Sequence, residues 1–346
     1  MENKKNLGIE FYRIILTFYI CLQHLLEYGG VLDFANCKYK SIYYLLDYFA
    51  ICAVDGYALI SGYISNSKKT NYKRMIKLWI EVFFYSFIVT FILKAFNVGK
   101  QISAWEALKF ALPILSGKFW YMTSYFPLFF VGPYINECIS KMSTDTSKKL
   151  LFTLIAVFSC GGMLVDNYMG GGYSFIWLLT LYIIGSIMKK IRLFETIKTP
   201  YLLVVYLICV SITWLLMMIT TSTRLVNYIS PTMLLSAMVL LVVCSRIKSN
   251  NKIIGIISST TTGIYLLQNN EIVWESIFIN RFVFISNMNI VKGLLFVLLC
   301  TSLVFAIGFF VDQIRIFIFN KVNIEKIANK VSALMDTVYE KMKCYF

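Results

Sequence analysis

Arg13 and His24 lie eleven positions apart in the first apolar run of the chain. Eleven α-helical steps bring two residues to within about 20° of the same face and about 16 Å apart along the axis. A guanidinium at one end of such a face suits a phosphate, because its fork of donors matches phosphate oxygens. An imidazole deeper along the same face suits proton transfer. The plainer alternative is that Arg13 snorkels to lipid headgroups and His24 donates to a backbone carbonyl. The other ionisable residues singled out in the first three apolar runs are Glu10 one turn before Arg13, Asp47 and Asp55 in the second run, and Glu81 in the third. A charge at membrane depth costs several kcal/mol and persists only with a partner or a task.

The elements that must position these groups are set by composition. Of 346 residues, 58% are apolar and 15% charged, against about 45–50% and about 25% in a soluble domain. With a mean hydropathy of +0.70, the chain is excluded from the soluble, disordered, collagen-like and coiled-coil classes. Ten apolar stretches are read as spans, at 9–30, 43–64, 79–97, 119–137, 150–166, 173–188, 201–219, 229–246, 253–273 and 290–311. The expected fold is therefore an all-α, polytopic membrane bundle of about ten transmembrane helices, with both termini on one side. Basic clusters recur in alternate connections: Lys68, Lys69, Lys73, Arg74 and Lys77; Lys141, Lys148 and Lys149; Lys189, Lys190, Arg192 and Lys198; Arg246, Lys248 and Lys252. Together with Lys4 and Lys5 they place both termini in the cytoplasm by the positive-inside rule. The +15 net charge is thereby assigned to topology and anionic lipid rather than to nucleic acid. Arg13 and the length of the first run argue for a retained span rather than a cleaved signal peptide. Residues 104–116 are too short and too charged for an eleventh span. Residues 1–320 read as one transmembrane domain. Residues 321–346, with Ile324, Ile327, Val331, Leu334 and Val338 at helical spacing, read as an amphipathic cytoplasmic C-terminal helix on the membrane. Cys21, Cys52, Cys160, Cys209 and Cys300 lie inside apolar runs as small packing residues, and one histidine leaves no zinc set to read.

Arg13, ten residues and His24 are followed in the second run by Val54-Asp55-Gly56-Tyr57-Ala58-Leu59-Ile60-Ser61-Gly62-Tyr63. Then come the basic Tyr72-Lys73-Arg74-Met75-Ile76-Lys77, Phe119-Trp120-Tyr121, and Pro133-Tyr134-Ile135-Asn136. In this order the motifs resemble those of the acyltransferase-3 family of integral membrane acyltransferases, over residues 7 to 312. One element departs from the pattern. Where the family usually reads I-Y-L-I-H-D-N, this chain has Ile264-Tyr265-Leu266-Leu267-Gln268-Asn269-Asn270, without the second histidine and the aspartate.

The resemblance implies transfer of an acyl group, usually acetyl from cytoplasmic acetyl-coenzyme A, to a hydroxyl of an envelope or exported glycan or lipid-linked sugar, at the plasma membrane and without a metal. It implies that Arg13, Lys73, Arg74 and Lys77 hold the phosphates of coenzyme A. His24 would act as general base or as a covalent acyl relay, with Asp55 orienting it or stabilising its imidazolium. Trp120 and Tyr121 stack on a sugar or form an interfacial belt, and Asn269 with Thr260–Thr262 lines a polar cavity or joins helices. Ser61 and Gly62 read first as close helix packing. Acceptor recognition would fall to outer loops around Trp120, Tyr173, Arg224, Trp274 and Arg281. The competing classes are a secondary transporter or flippase for a small polar or sugar-linked substrate and a glycan-binding membrane protein; coenzyme A binding separates the enzyme from both.

Overall fold

The computed structural model describes residues 6–343 except 66, 166 and 221; Lys4 and Lys5 lie outside the described residues. The described chain is all-α, and seven of its helices are long and apolar enough to cross a membrane: Leu7–Glu27, Cys37–Ile64, Tyr72–Ala95, Thr144–Leu164, Thr199–Thr220, Thr223–Ser245 and Ile290–Val322. Among the described residues seven of the ten expected spans are thus single candidate helices, and the other three runs are arranged differently. The run at 119–137 is cut at Pro127 into Trp120–Tyr125 and Leu128–Lys141, since proline lacks the amide that would continue the first helix. The run at 253–273 divides into Lys252–Ser258, Thr261–Gln268 and Glu271–Val273. There Thr260 and Asn270 turn the chain: the Thr260 hydroxyl donates back to Ile257 O at 2.8 Å, and the Asn270 side chain caps the next turn by accepting from Ile272 N at 3.0 Å. The run at 173–188 is a single helix of 17 residues, Phe175–Ile191, at the short end of what crosses a bilayer.

Two further boundaries move. Tyr72–Phe83 begins ahead of the apolar run because the Asn71 side chain accepts from Arg74 N at 2.9 Å as an N-cap. Lys73, Arg74 and Lys77 therefore ride on the first turns of a helix and not on a loop. Ile290–Val322 runs 33 residues, about 50 Å, past the expected end at 311. It stops where Asn323 takes a left-handed conformation (φ 57°). Ile324–Lys343 then returns to pack against Tyr72–Phe83.

At the centre, Ala53–Ile64 and Phe175–Ile191 form the most extensively packed helix pair. Glycine makes this possible. A Cβ on Gly62 would lie 1.9 Å from Tyr182 O, and one on Gly185 would lie 2.2 Å from Leu59 O, so backbones meet where any side chain would part them. Ser186 Oγ donates to Gly62 O at 3.0 Å and Trp177 Nε1 donates to Asp55 Oδ1 at 2.9 Å, satisfying polar groups that have no water to turn to. Leu7–Glu27 packs against this centre, with Tyr12 fully buried and donating to Ala237 O at 3.0 Å. Ile290–Val322, by contrast, exposes Leu295, Leu299, Leu303, Phe310 and Ile314 along one side, the face that lipid would cover.

Candidate active site

Leu7–Glu27 carries both Arg13 and His24 into one cavity of about 560 Å³, within the range of small-molecule sites. Lys73, Arg74, Lys77, Trp120, Tyr121 and Asn269 line the same cavity. Thr261 and Thr262 line it too, whereas Thr260, Tyr173, Arg224, Trp274 and Arg281 are not among its lining residues, and of the catalytic and donor-binding candidates Asp55 alone lies outside it. Asp55 is fully buried, and its partner is Trp177 on the neighbouring helix. The expectation that Asp55 orients His24 is corrected: Asp55 sits on the packing side of Ala53–Ile64, whose Val54, Tyr57, Ile60 and Ser61 line the cavity.

The group that does meet the imidazole is Gln268. His24 Nδ1 lies 3.2 Å from Gln268 Oε1, and Gln268 Nε2 lies 2.8 Å from Cys21 Sγ. This replaces the backbone carbonyl of the plainer reading. Aromatic edges enclose the ring, with centroids at 5.0 Å for Trp274, 6.0 Å for Tyr28 and 6.4 Å for Phe278. Among the described residues Nε2 has no hydrogen-bond partner. Trp120 continues the aromatic wall, 4.5 Å from Tyr173 and stacked at 6.1 Å on Tyr228. Tyr121 stacks at 5.9 Å on Tyr125, and Asn269 Nδ2 donates to Tyr265 O at 2.9 Å. Ser61 also faces the cavity, with Oγ 3.2 Å from Tyr125 OH, so only Gly62 of that pair serves close packing.

The other end is cationic. Arg13 Nη1 is 3.7 Å from Glu10 Oε2, and Glu10 also accepts from Ser258 Oγ. Lys73 and Lys77 both bind Glu325 of the C-terminal helix, Lys77 at 2.7 Å. The hydrogen bonds from Lys73 and then Lys77 hold the Glu325 carboxyl down to about 2. Glu81 also lines the cavity, but its charge is committed to Arg315 at 3.1 Å. Arg315 in turn forks onto Asp312 at 2.7 and 2.8 Å, and Asp312 accepts from Tyr85 OH at 2.7 Å. Arg315, four residues beyond the last expected span, is thus a buried ion-pair residue. The Asp312–Arg315 spacing of one helical turn was the signal for it. Gln268, Tyr228, Tyr265 and Glu325 are cavity or histidine-contacting residues that spacing does not reveal, since each comes from a segment remote from His24.

In this helical membrane protein one cavity joins a cationic end to the chain's lone histidine. Residues 6–312 match the acyltransferase-3 family model, described as an acyltransferase domain; the chain belongs to this family and is a membrane acyltransferase. No curated protein and no solved structure matches the chain.

Proposed function

We propose that this acyltransferase moves an acyl group, acetyl in the first instance, from cytoplasmic acyl-coenzyme A to a hydroxyl of an envelope or exported glycan. The reading rests on one observation: Arg13, Lys73, Arg74 and Lys77 share a cavity with His24 and the Trp120–Tyr121 wall. The cations suit the phosphates of coenzyme A, which are recognised by charge-assisted hydrogen bonds. Glu325 holds Lys73 and Lys77 as an internal counter-anion, and donor phosphates would take its place. The thioester supplies the activated acyl carbon. His24 takes the proton of the acceptor hydroxyl, whose oxygen bonds to that carbon as the carbon–sulfur bond breaks. The departing thiolate then receives the proton. The aromatic faces of Trp120, Tyr121 and Tyr228 suit the apolar face of a sugar ring. The basic clusters in alternate connections support a cytoplasmic side for the cationic end and both termini of a plasma-membrane protein. The carrier reading gives way to the family assignment.

The test is transfer of radiolabelled acetyl from acetyl-coenzyme A by the purified protein in vesicles, wild type beside His24→Ala. Label reaching a membrane glycan only with His24 present is the expected result. No coenzyme A binding and no dependence on His24, in folded protein offered the glycans of its own cell, would overturn the reading.

A further inference from the structure

Gln268 stands where the resembled family usually carries a histidine, and among the described residues its side chain is the one hydrogen-bonded to the His24 ring. We infer that Gln268 is the positioning residue of His24: its carbonyl oxygen accepts from Nδ1–H, selecting the tautomer whose Nε2 lone pair faces the cavity. A neutral imidazole has one donor and one acceptor nitrogen, and the partner of one nitrogen decides the role of the other.

Three observations carry the assignment. The Nδ1–Oε1 separation is 3.2 Å. The other end of the same amide is tied to Cys21 Sγ at 2.8 Å, and Cys21 lies one turn before His24 on the same helix. The Gln268 amide therefore bridges adjacent turns of Leu7–Glu27, fixing both the distance and the angle at which it meets the ring. Finally, Trp274, Tyr28 and Phe278 present the ring with aromatic edges, none of which supplies an acceptor for Nδ1–H. The two orientations of the Gln268 amide correspond to the two tautomers of His24. With Nε2 of the amide on sulfur and Oε1 on the ring, the reactive nitrogen is the one turned to substrate. A glutamine does this without a charge, which suits a site with no carboxylate on the imidazole.

The rate consequence rests on the proposed acyl transfer, whereas the tautomer does not, and the experiment separates them. His24 is the only histidine in the chain, so ¹⁵N-histidine labelling reports on this ring alone. At pH values where the ring is neutral, the wild type is expected to show a protonated Nδ1 and a bare Nε2. Gln268→Leu is expected to lose that preference and to lower kcat by about tenfold or more, since a wrong tautomer disables the base, with KM for acetyl-coenzyme A unchanged. Gln268→Glu, which keeps an acceptor at the same reach, is expected to retain the Nδ1–H form and most of the rate. A wild-type spectrum with Nε2 protonated overturns the inference. So does a Leu variant that loses activity with its tautomer unchanged, or a Glu variant that is folded, binds donor and has lost the Nδ1–H form. Absence of transfer by the wild type would sink the acyltransfer reading and leave the tautomer result standing.

Discussion

The two ends of the cavity use opposite means to hold a functional group. At the aromatic end one imidazole is enclosed by ring edges and fixed by a single neutral amide, so its geometry is specified by packing. At the cationic end Arg13, Lys73, Arg74 and Lys77 stand on two helices, and among the described residues their ion pairs are to Glu10 and Glu325, with Glu81 beside them paired to Arg315, so positive charge is in excess. The Glu81–Arg315–Asp312 cluster behind it shows what charges look like when they serve structure: buried, bidentate and committed to one another. On the proposed reading, the enclosed end governs rate and the end with unbalanced charge governs donor binding. Substitutions at the two ends should therefore separate kcat from affinity.

The largest effect is expected at the enclosed end. His24→Ala should lower kcat by about 10²–10⁴ while the dissociation constant for coenzyme A, measured by calorimetry, stays within about twofold; an equal loss of binding would erase the division between the ends. Next comes Arg13→Ala, which removes a charge-assisted contact worth about 1.5–3 kcal/mol. It should raise the donor KM by about 10–100-fold with kcat unchanged, and the effect should shrink at high salt. A fall in kcat instead would place Arg13 with the chemistry. Trp120→Ala forfeits a stacking contribution of about 0.5–1.5 kcal/mol. Steady-state kinetics should then show acceptor KM raised about two- to tenfold at constant donor KM. The smallest effect is at Glu325. Its carboxyl is depressed in the folded protein, so its contribution to docking Ile324–Lys343 is fully present above the ordinary glutamate value and is lost as pH falls through about 2. A distance probe between that helix and Tyr72–Phe83 should read docked at pH 5 and increasingly released toward pH 2. In Glu325→Gln this acid-dependent step should be absent.

Much of the site is legible in the residues themselves. The shared face of Arg13 and His24 follows from helical periodicity, and both do line one cavity. Lys73, Arg74, Lys77, Trp120 and Tyr121 follow from motif order. The spans are less legible. Hydropathy windows reward apolar content, and they pass over Pro127 and the Thr260 and Asn270 turns that divide two runs into short helices. Asp55 illustrates a different failure. The resemblance implies a place beside His24, yet a 100° step per residue turns it away from the cavity-lining Tyr57, onto Trp177.

By itself the sequence determined that this is a helical membrane protein, that a guanidinium and an imidazole share a face, and that basic residues gather near that face. Those properties depend on local periodicity and composition. Only the tertiary structure decided that Gln268 meets His24, that Glu325 returns from the C-terminal helix to the lysines, and that Arg315 is buried against Asp312 and Glu81. In lipid every apolar helix face is about equally well solvated, so hydrophobicity does not choose which faces meet. That choice falls to close-packed glycines and to a few polar groups that must find one another.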